Sequence, residues 1–354
     1  MRGRKFQDIE LIRWIVEKSP VSKHNLSLSG LPEPDFSEMG VEIKPEDQFQ
    51  VNRNAQDMFL QTLEDVYGFP RENVLLTTGG SEAIFLLSLL AWKRGLKVAV
   101  RTPEYQPIFR VPENLGVPVR LVGNWDELDR LLASGSAAFL SNPNNPVGTF
   151  LLPGQIEELV SRIKGDAFVY VDEAFLEFKF QKKPESVFFE DDRLVVNGSM
   201  TKFYGFSNYR VGWIASSKKN IHDLSILRTS TGISNPAYPL WIAYQALLNR
   251  SRFQERALKI IPATRQTLKD FVETEPGLSW EYPSASSYAL VHYDLPDPSE
   301  ELCRKILDST GVLLGPGSYF GSEKSFRVCI TPEPEKFREA LESLKSYLSE
   351  FRKS

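Results

Sequence analysis

Histidine and cysteine are scarce in this chain of 354 residues, with three of the first (His24, His222, His292) and two of the second (Cys303, Cys329). Two cysteines make no disulfide framework and show no metal-ligand spacing, which predicts a reducing, cytoplasmic home and no metal. Three isolated histidines leave little from which to build a zinc site or a Ser-His-Asp hydrolase. There is no GxSxG elbow and no GxxxxGK[ST] phosphate loop. The longest apolar run, residues 83–92 (AIFLLSLLAW), is half the ~20 residues a membrane-spanning helix needs. The N-terminus is basic but has no continuous apolar stretch of the signal-peptide kind. With 42 basic and 46 acidic residues, a net charge of -4 and no basic block, nothing suggests a nucleic-acid partner.

What is present has the pattern of a two-domain α/β protein. A chain this long exceeds the ~250–300 residues at which single cores stop growing. From about residue 50 to 245, short apolar runs (NVLLTT, KVAVRTP, VPVRLV, AAFLSNP, AFVYVDEAF, LVVNGS, VGWIAS) alternate with helical stretches such as SEAIFLLSLLAWKRG and PGQIEELVSRIKG. Strands apolar on both faces, with helices between them, predict a mainly parallel sheet of seven strands covered on each side. From 246 onward the alternation becomes α+β: a long helix, SSYALVHYD, SEELCRKILDSTG, SFRVCIT and a final amphipathic helix. The predicted division is an arm with part of the small domain over 1–45, a large domain over 46–245 and a small domain over 246–354.

In doubly wound sheets ligands bind beyond the carboxyl ends of the strands, so the residues there are the ones to inspect. Lys202 follows the strand LVVNGS, where a lysine is usually just a solvated side chain. Asp172 ends the strand AFVYV; it would ordinarily be a turn or capping aspartate, but at the end of so apolar a strand it calls for a cation or several donors. Asn145 sits in the proline-rich turn SNPNNPVG, which alone is only a loop. Gly79, Gly80 and Ser81 precede a helix and expose its N–H groups to an anion, though such pairs also make plain turns. Arg210 lies eight residues after Lys202 and can return to the same edge. An amine, a buried carboxylate, an amide and an anion cradle with an arginine are together what a phosphorylated pyridine aldehyde would use. The amine would form a Schiff base and the carboxylate would face the ring nitrogen.

At this point the chain resembles the fold type I aminotransferases that use pyridoxal 5'-phosphate, in the branch of the histidinol-phosphate and aspartate aminotransferases. The N-P-x-N-P-x-G signature matches NPNNPVG, D-x-A-[YF] matches Asp172 to Phe175, and S-x-x-K with a later arginine matches Ser199, Lys202 and Arg210. The resemblance implies that fold, with a large and a smaller α+β domain, and a ping-pong transfer of an amino group between an amino acid and a 2-keto acid, through a Schiff base on Lys202. It also implies Asp172 at the ring nitrogen, Asn145 at the ring oxygen, and Gly79, Gly80, Ser81, Ser199 and Arg210 around the phosphate. Tyr105 would stack on the ring; without the motif it is a partly buried core tyrosine. Arg327, whose neighbours Phe326, Val328 and Ile330 read as core, would grip the substrate carboxylate, with Gly30 and Asn145 beside it. A homodimer is implied as well.

Two positions depart from the family pattern. Phe175 stands where many relatives carry tyrosine, so one donor to the ring oxygen is missing there and the imine proton is expected to be held more strongly. Residues 48–59 (QFQVNRNAQDMF) hold no tyrosine to reach a neighbouring subunit's phosphate, and neither Asn52 nor Arg53 is assigned that role. Rival readings keep the cofactor but cleave differently (a lyase or decarboxylase of a phosphorylated amino acid), or drop the chemistry in favour of a silent binding protein. A nucleotide-dependent oxidoreductase is suggested only by residues 311–321 (GVLLGPGSYFG), which miss the GxGxxG spacing.

Overall fold

The computed structural model describes residues 6–43 and 54–351. The strands read from the sequence form one seven-stranded sheet in the spatial order Val74–Thr77, Gly212–Ser216, Leu194–Ser199, Val169–Asp172, Ala137–Ser141, Val98–Arg101, Val119–Val122. Pairing is parallel from Leu194–Ser199 to the far edge, and only Gly212–Ser216 runs antiparallel to its neighbours. Both faces are covered. Tyr170 of the strand Val169–Asp172, and Phe168 just before it, pack with Ile84 and Leu87 of the helix Gly80–Lys93, while Val169 and Val171 of the same strand join the core on the opposite face. This is why the strand carries no polar alternation before its last residue.

A second, antiparallel sheet follows in the order Gly315–Pro316, Ser325–Cys329, Tyr288–Tyr293, Leu278–Trp280. It is framed by the helices Arg250–Thr274, Ser299–Thr310 and Pro334–Phe351. Residues 24–31 belong spatially to this part. His24–Asn25 pairs in parallel with Val312–Leu313, the Cys329 N–H donates to the Leu26 carbonyl at 2.8 Å, and the Leu31 N–H donates to the Lys202 carbonyl at 2.8 Å. The N-terminal arm therefore runs from the second sheet onto the loop that bears Lys202. The helices Glu10–Lys18, Ala55–Tyr67, Trp125–Ala133, Lys218–Arg228 and Ala237–Leu248 were not among the expectations from sequence.

Candidate active site

Because the central strands are parallel, their last residues share one edge: Ser141 stands beside Asp172, and Asp172 beside Asn197. The expected residues converge there on a single cavity of about 510 Å³. Lys202, Asp172, Asn145, Tyr105 and Phe175 line its inner part, while Gly80, Ser81, Ser199 and Arg210 line one end and Gly30 the other wall. Gly79 lies just behind the helix start. Arg327 is not itself part of the lining; it is buried beside Asn145, donating through one Nη to the Asn145 Oδ1 at 2.9 Å and through the other to the Ser27 carbonyl at 2.7 Å.

Lys202 donates to the Ser29 hydroxyl at 3.2 Å, and its Nζ lies 5.5 Å from the Phe175 ring centre. Burial first, then the nearby Arg327, pushes its ammonium down to about 8, so an appreciable fraction is free amine at mildly alkaline pH. Asp172 is 6% exposed and accepts the Ala174 N–H at 3.0 Å. Burial raises its carboxyl to about 6, against the opposing pull of that N–H, of Lys202 and of Asn197. Within the chain alone this carboxylate is thus short of positive charge. Tyr105, the residue before the helix Gln106–Asn114, is held up to about 12 by burial.

The far end of the cavity is built to take an anion. Gly79 caps the helix Gly80–Lys93 with φ of 92°, and no side chain caps the first N–H groups. A Cβ at Gly79 would come within 2.7 Å of an Arg210 Nη, so glycine is required by both the backbone and the arginine. Arg210 donates to the Thr78 and Ser207 carbonyls, at 3.1 and 3.0 Å. The Ser199 and Thr201 hydroxyls meet at 2.9 Å beside it.

Sequence reasoning missed a supporting layer. Glu104 is buried and accepts from the Ser141 N–H at 2.9 Å, the Tyr105 N–H at 2.7 Å and the Ser141 hydroxyl; that hydroxyl accepts the Asn145 N–H at 2.8 Å. Burial pushes Glu104 up to about 8. Asn197 beside Asp172 is fixed by the Tyr170 hydroxyl at 2.9 Å. Glu104 directly precedes Tyr105, and that adjacency was its only mark in the sequence. Asn52 and Arg53 lie outside the described residues. Among the described residues no group of three or more His, Cys, Asp or Glu could hold a metal, and no helix is long and apolar enough to cross a membrane.

These features fit pyridoxal 5'-phosphate: a stranded carboxylate for a ring cation, an amine of lowered basicity, an amide, and an uncapped helix start with an arginine for the phosphate. Comparison with known proteins agrees. Residues 48–344 match the family described as Aminotransferase class I and II. A histidinol-phosphate aminotransferase of Aquifex aeolicus is 27% identical over 302 residues, covering 81% of this chain and 82% of that protein. Another, histidinol-phosphate aminotransferase 2 of Carboxydothermus hydrogenoformans, is 25% identical over 278 residues, 75% of this chain and 74% of that one. The fold is shared with a PLP-dependent aminotransferase from Streptococcus suis, with TM-score 0.84, 23% identity and coverage of 98% and 99% of the two chains. The protein has fold type I, its cofactor is pyridoxal 5'-phosphate, and the chain belongs to the aminotransferase class I and II family.

Proposed function

We propose that the chain moves an amino group from an amino acid to a 2-keto acid in two half-reactions, with Lys202 as the tethering amine and proton carrier. The observation that carries this reading is the placement of Lys202 and Asp172 in one cavity, the aspartate buried and the lysine partly so, with an anion cradle beside them. Pyridoxal phosphate, when bound, supplies an imine carbon and a ring that draws off the electron pair left at the substrate α-carbon. Lys202 is suited to attack a carbonyl and, once displaced, to take a proton from that carbon and return it on the far side of the imine nitrogen, because its lowered basicity leaves free amine available. Asp172 supplies the counter-charge that keeps a ring nitrogen protonated, and Asn145 faces the ring oxygen. Gly80, Ser81, Ser199 and Arg210 hold the phosphate, while Tyr105 covers the ring. Arg327, with its fork fixed by Asn145 and Ser27, receives the α-carboxylate.

The imidazole-phosphate donor implied by the curated relatives is the first to test; aromatic and acidic amino acids follow. We also propose a homodimer, as the resemblance to the family implies, and a division into bodies near residue 245. The deciding experiment follows bleaching of the cofactor band with each amino acid and analyses the products with a 2-keto acid acceptor. Amino exchange in the wild type and none in Lys202→Ala supports the reading. Carbon dioxide release without exchange would replace it with the lyase reading.

A further inference from the structure

Among the described residues the Lys202 amine makes one hydrogen bond, and its partner is uncharged: it donates to the Ser29 hydroxyl at 3.2 Å, and no ion pair joins it to Asp172 in the same cavity. Ser29 lines that cavity, is 6% exposed, and its hydroxyl has no second partner among the described residues. The two residues are 173 positions apart, so the fold has to bring them together. It does so through the arm. Four successive carbonyls there are fastened to the second sheet and the turns flanking it: Leu26 accepts the Cys329 N–H at 2.8 Å, Ser27 an Arg327 Nη at 2.7 Å, Leu28 the Thr331 hydroxyl at 2.8 Å and Ser29 the Ser287 hydroxyl at 2.6 Å. On the other side the Leu31 N–H donates to the Lys202 carbonyl at 2.8 Å, and a Cβ at Gly30 would stand 2.9 Å from the Thr201 carbonyl. The backbone around Ser29 is thus clamped from both sides, and its hydroxyl reaches the amine from a fixed base.

A hydroxyl suits this amine. It carries one donor and two acceptor lone pairs and rotates to present either, so it accepts from an ammonium and donates to a free amine, whereas an ionised carboxylate serves only the ammonium. An amine that attacks a carbonyl and carries protons alternates between those two forms. We propose that Ser29 is a positioning residue for Lys202, its hydroxyl holding the amine at one place in the cavity whether that amine is protonated or free. Ser29 gains and loses no proton in this role; it only turns its hydroxyl. The proposal rests on the reading of Lys202 as the tethering amine and adds to it the N-terminal arm as the element that aims that amine.

The test mixes pyridoxal 5'-phosphate with the cofactor-free protein and follows the visible band over a range of aldehyde concentrations and pH, in wild type, Ser29→Ala and Ser29→Thr. Above about pH 9, beyond the amine's own midpoint, the limiting rate of capture in Ser29→Ala should fall about tenfold, the scale of one hydrogen bond. The half-saturating concentration, set by the phosphate cradle, should stay within about twofold. The pH midpoint of the limiting rate should drop by roughly half a unit, because the ammonium loses its acceptor while the titratable and charged groups that bear on it, Arg327, Cys329, Asp172 and Arg210, are unchanged. Ser29→Thr keeps the hydroxyl and should restore both rate and midpoint. A purely structural serine would behave differently: its loss would lower the melting temperature of the cofactor-free protein and raise the half-saturating concentration, with the limiting rate intact. That pattern, or a Ser29→Ala protein whose rate is unchanged and whose midpoint is unchanged or higher, overturns the proposal and leaves the tethering reading standing. A Lys202→Ala protein that captures the aldehyde as wild type does, in a form fixed by borohydride, removes the tethering reading and the proposal with it.

Discussion

At the scale of single residues, the site is an arrangement of charges that do not balance until a ligand enters. Asp172 is the clearest case. Its carboxyl is raised to about 6 from an unfolded value near 3.8, so the folded chain binds more protons than the unfolded one between those pH values. Stability of the cofactor-free protein should consequently fall as pH rises from about 4 to 6, by an amount on the order of 2–3 kcal/mol if the whole shift is expressed. Asp172→Asn should lessen that slope by the share of this one carboxyl, the rest coming from groups such as Glu104, raised to about 8, and should make the cofactor-free protein more stable at pH 7 while weakening its hold on pyridoxal phosphate. Denaturant unfolding at pH 5 and 7 checks the first half, and cofactor titration the second. Arg327 makes the converse case, a buried cation already oriented by Asn145 and Ser27. Arg327→Lys keeps the charge but loses the planar fork, so KM for the amino donor should rise about 10- to 100-fold, with a smaller change in kcat. Equal losses in kcat and kcat/KM would mean that the arginine acts on the transition state alone.

At the scale of elements, what was legible in the sequence was whatever repeats along a single segment. The central strands of the large sheet were readable because Val169–Asp172 and its neighbours are buried on both faces, which produces unbroken apolar runs ending in a polar residue, whereas the edge strand Val119–Val122 is largely exposed and was marked only by its valines and leucine. Asn145, Asp172, Ser199 and Lys202 were readable because each sits at or just past a strand end, while Arg210 lies just before the strand Gly212–Ser216 and Arg327 within Ser325–Cys329. The helices Ala55–Tyr67 and Lys218–Arg228 were not, since their inward stripes are short and interrupted by polar side chains that bond locally. Glu104 was invisible for a different reason: what marks it is a partner, Ser141, brought near from a distant segment, and no periodicity encodes that. The helix start at Gly79 shows how closely an element and its chemistry are joined. In Gly79→Ala the Cβ would meet the Arg210 guanidinium, and the φ of 92° disfavours any side chain. Displacing Arg210 should weaken pyridoxal phosphate binding at least about tenfold, the loss expected for one charge-assisted contact, while binding of the unphosphorylated aldehyde falls much less. Fluorescence titration with both forms measures the contrast.

At the scale of the whole molecule, the two sheets are held in register around the cavity by a buried polar knot. Glu177, in the turn after the strand that bears Asp172, accepts the Tyr67 hydroxyl at 2.6 Å, the Tyr204 hydroxyl at 2.9 Å and the Arg250 Nε at 2.9 Å. Arg250 opens the long helix Arg250–Thr274 and also donates to the Gln181 and Lys182 carbonyls, at 2.9 and 3.0 Å. One carboxylate thus fastens the end of the helix Ala55–Tyr67, the loop just after Lys202 and the helix that leads to the second sheet. Removing one member of such a pair leaves an uncompensated buried charge, whereas replacing both by neutral groups of similar size does not. Arg250→Ala should therefore lower the unfolding free energy by about 3–5 kcal/mol, and cofactor affinity should drop with it, because Tyr204 lies two residues from Lys202. Arg250→Met combined with Glu177→Gln should cost clearly less than Arg250→Ala alone. Denaturant midpoints of the three proteins decide the matter: if the double variant is as unstable as the single one, the stability comes from the packing of the two side chains, and the charge pair serves only to choose which helix meets which loop.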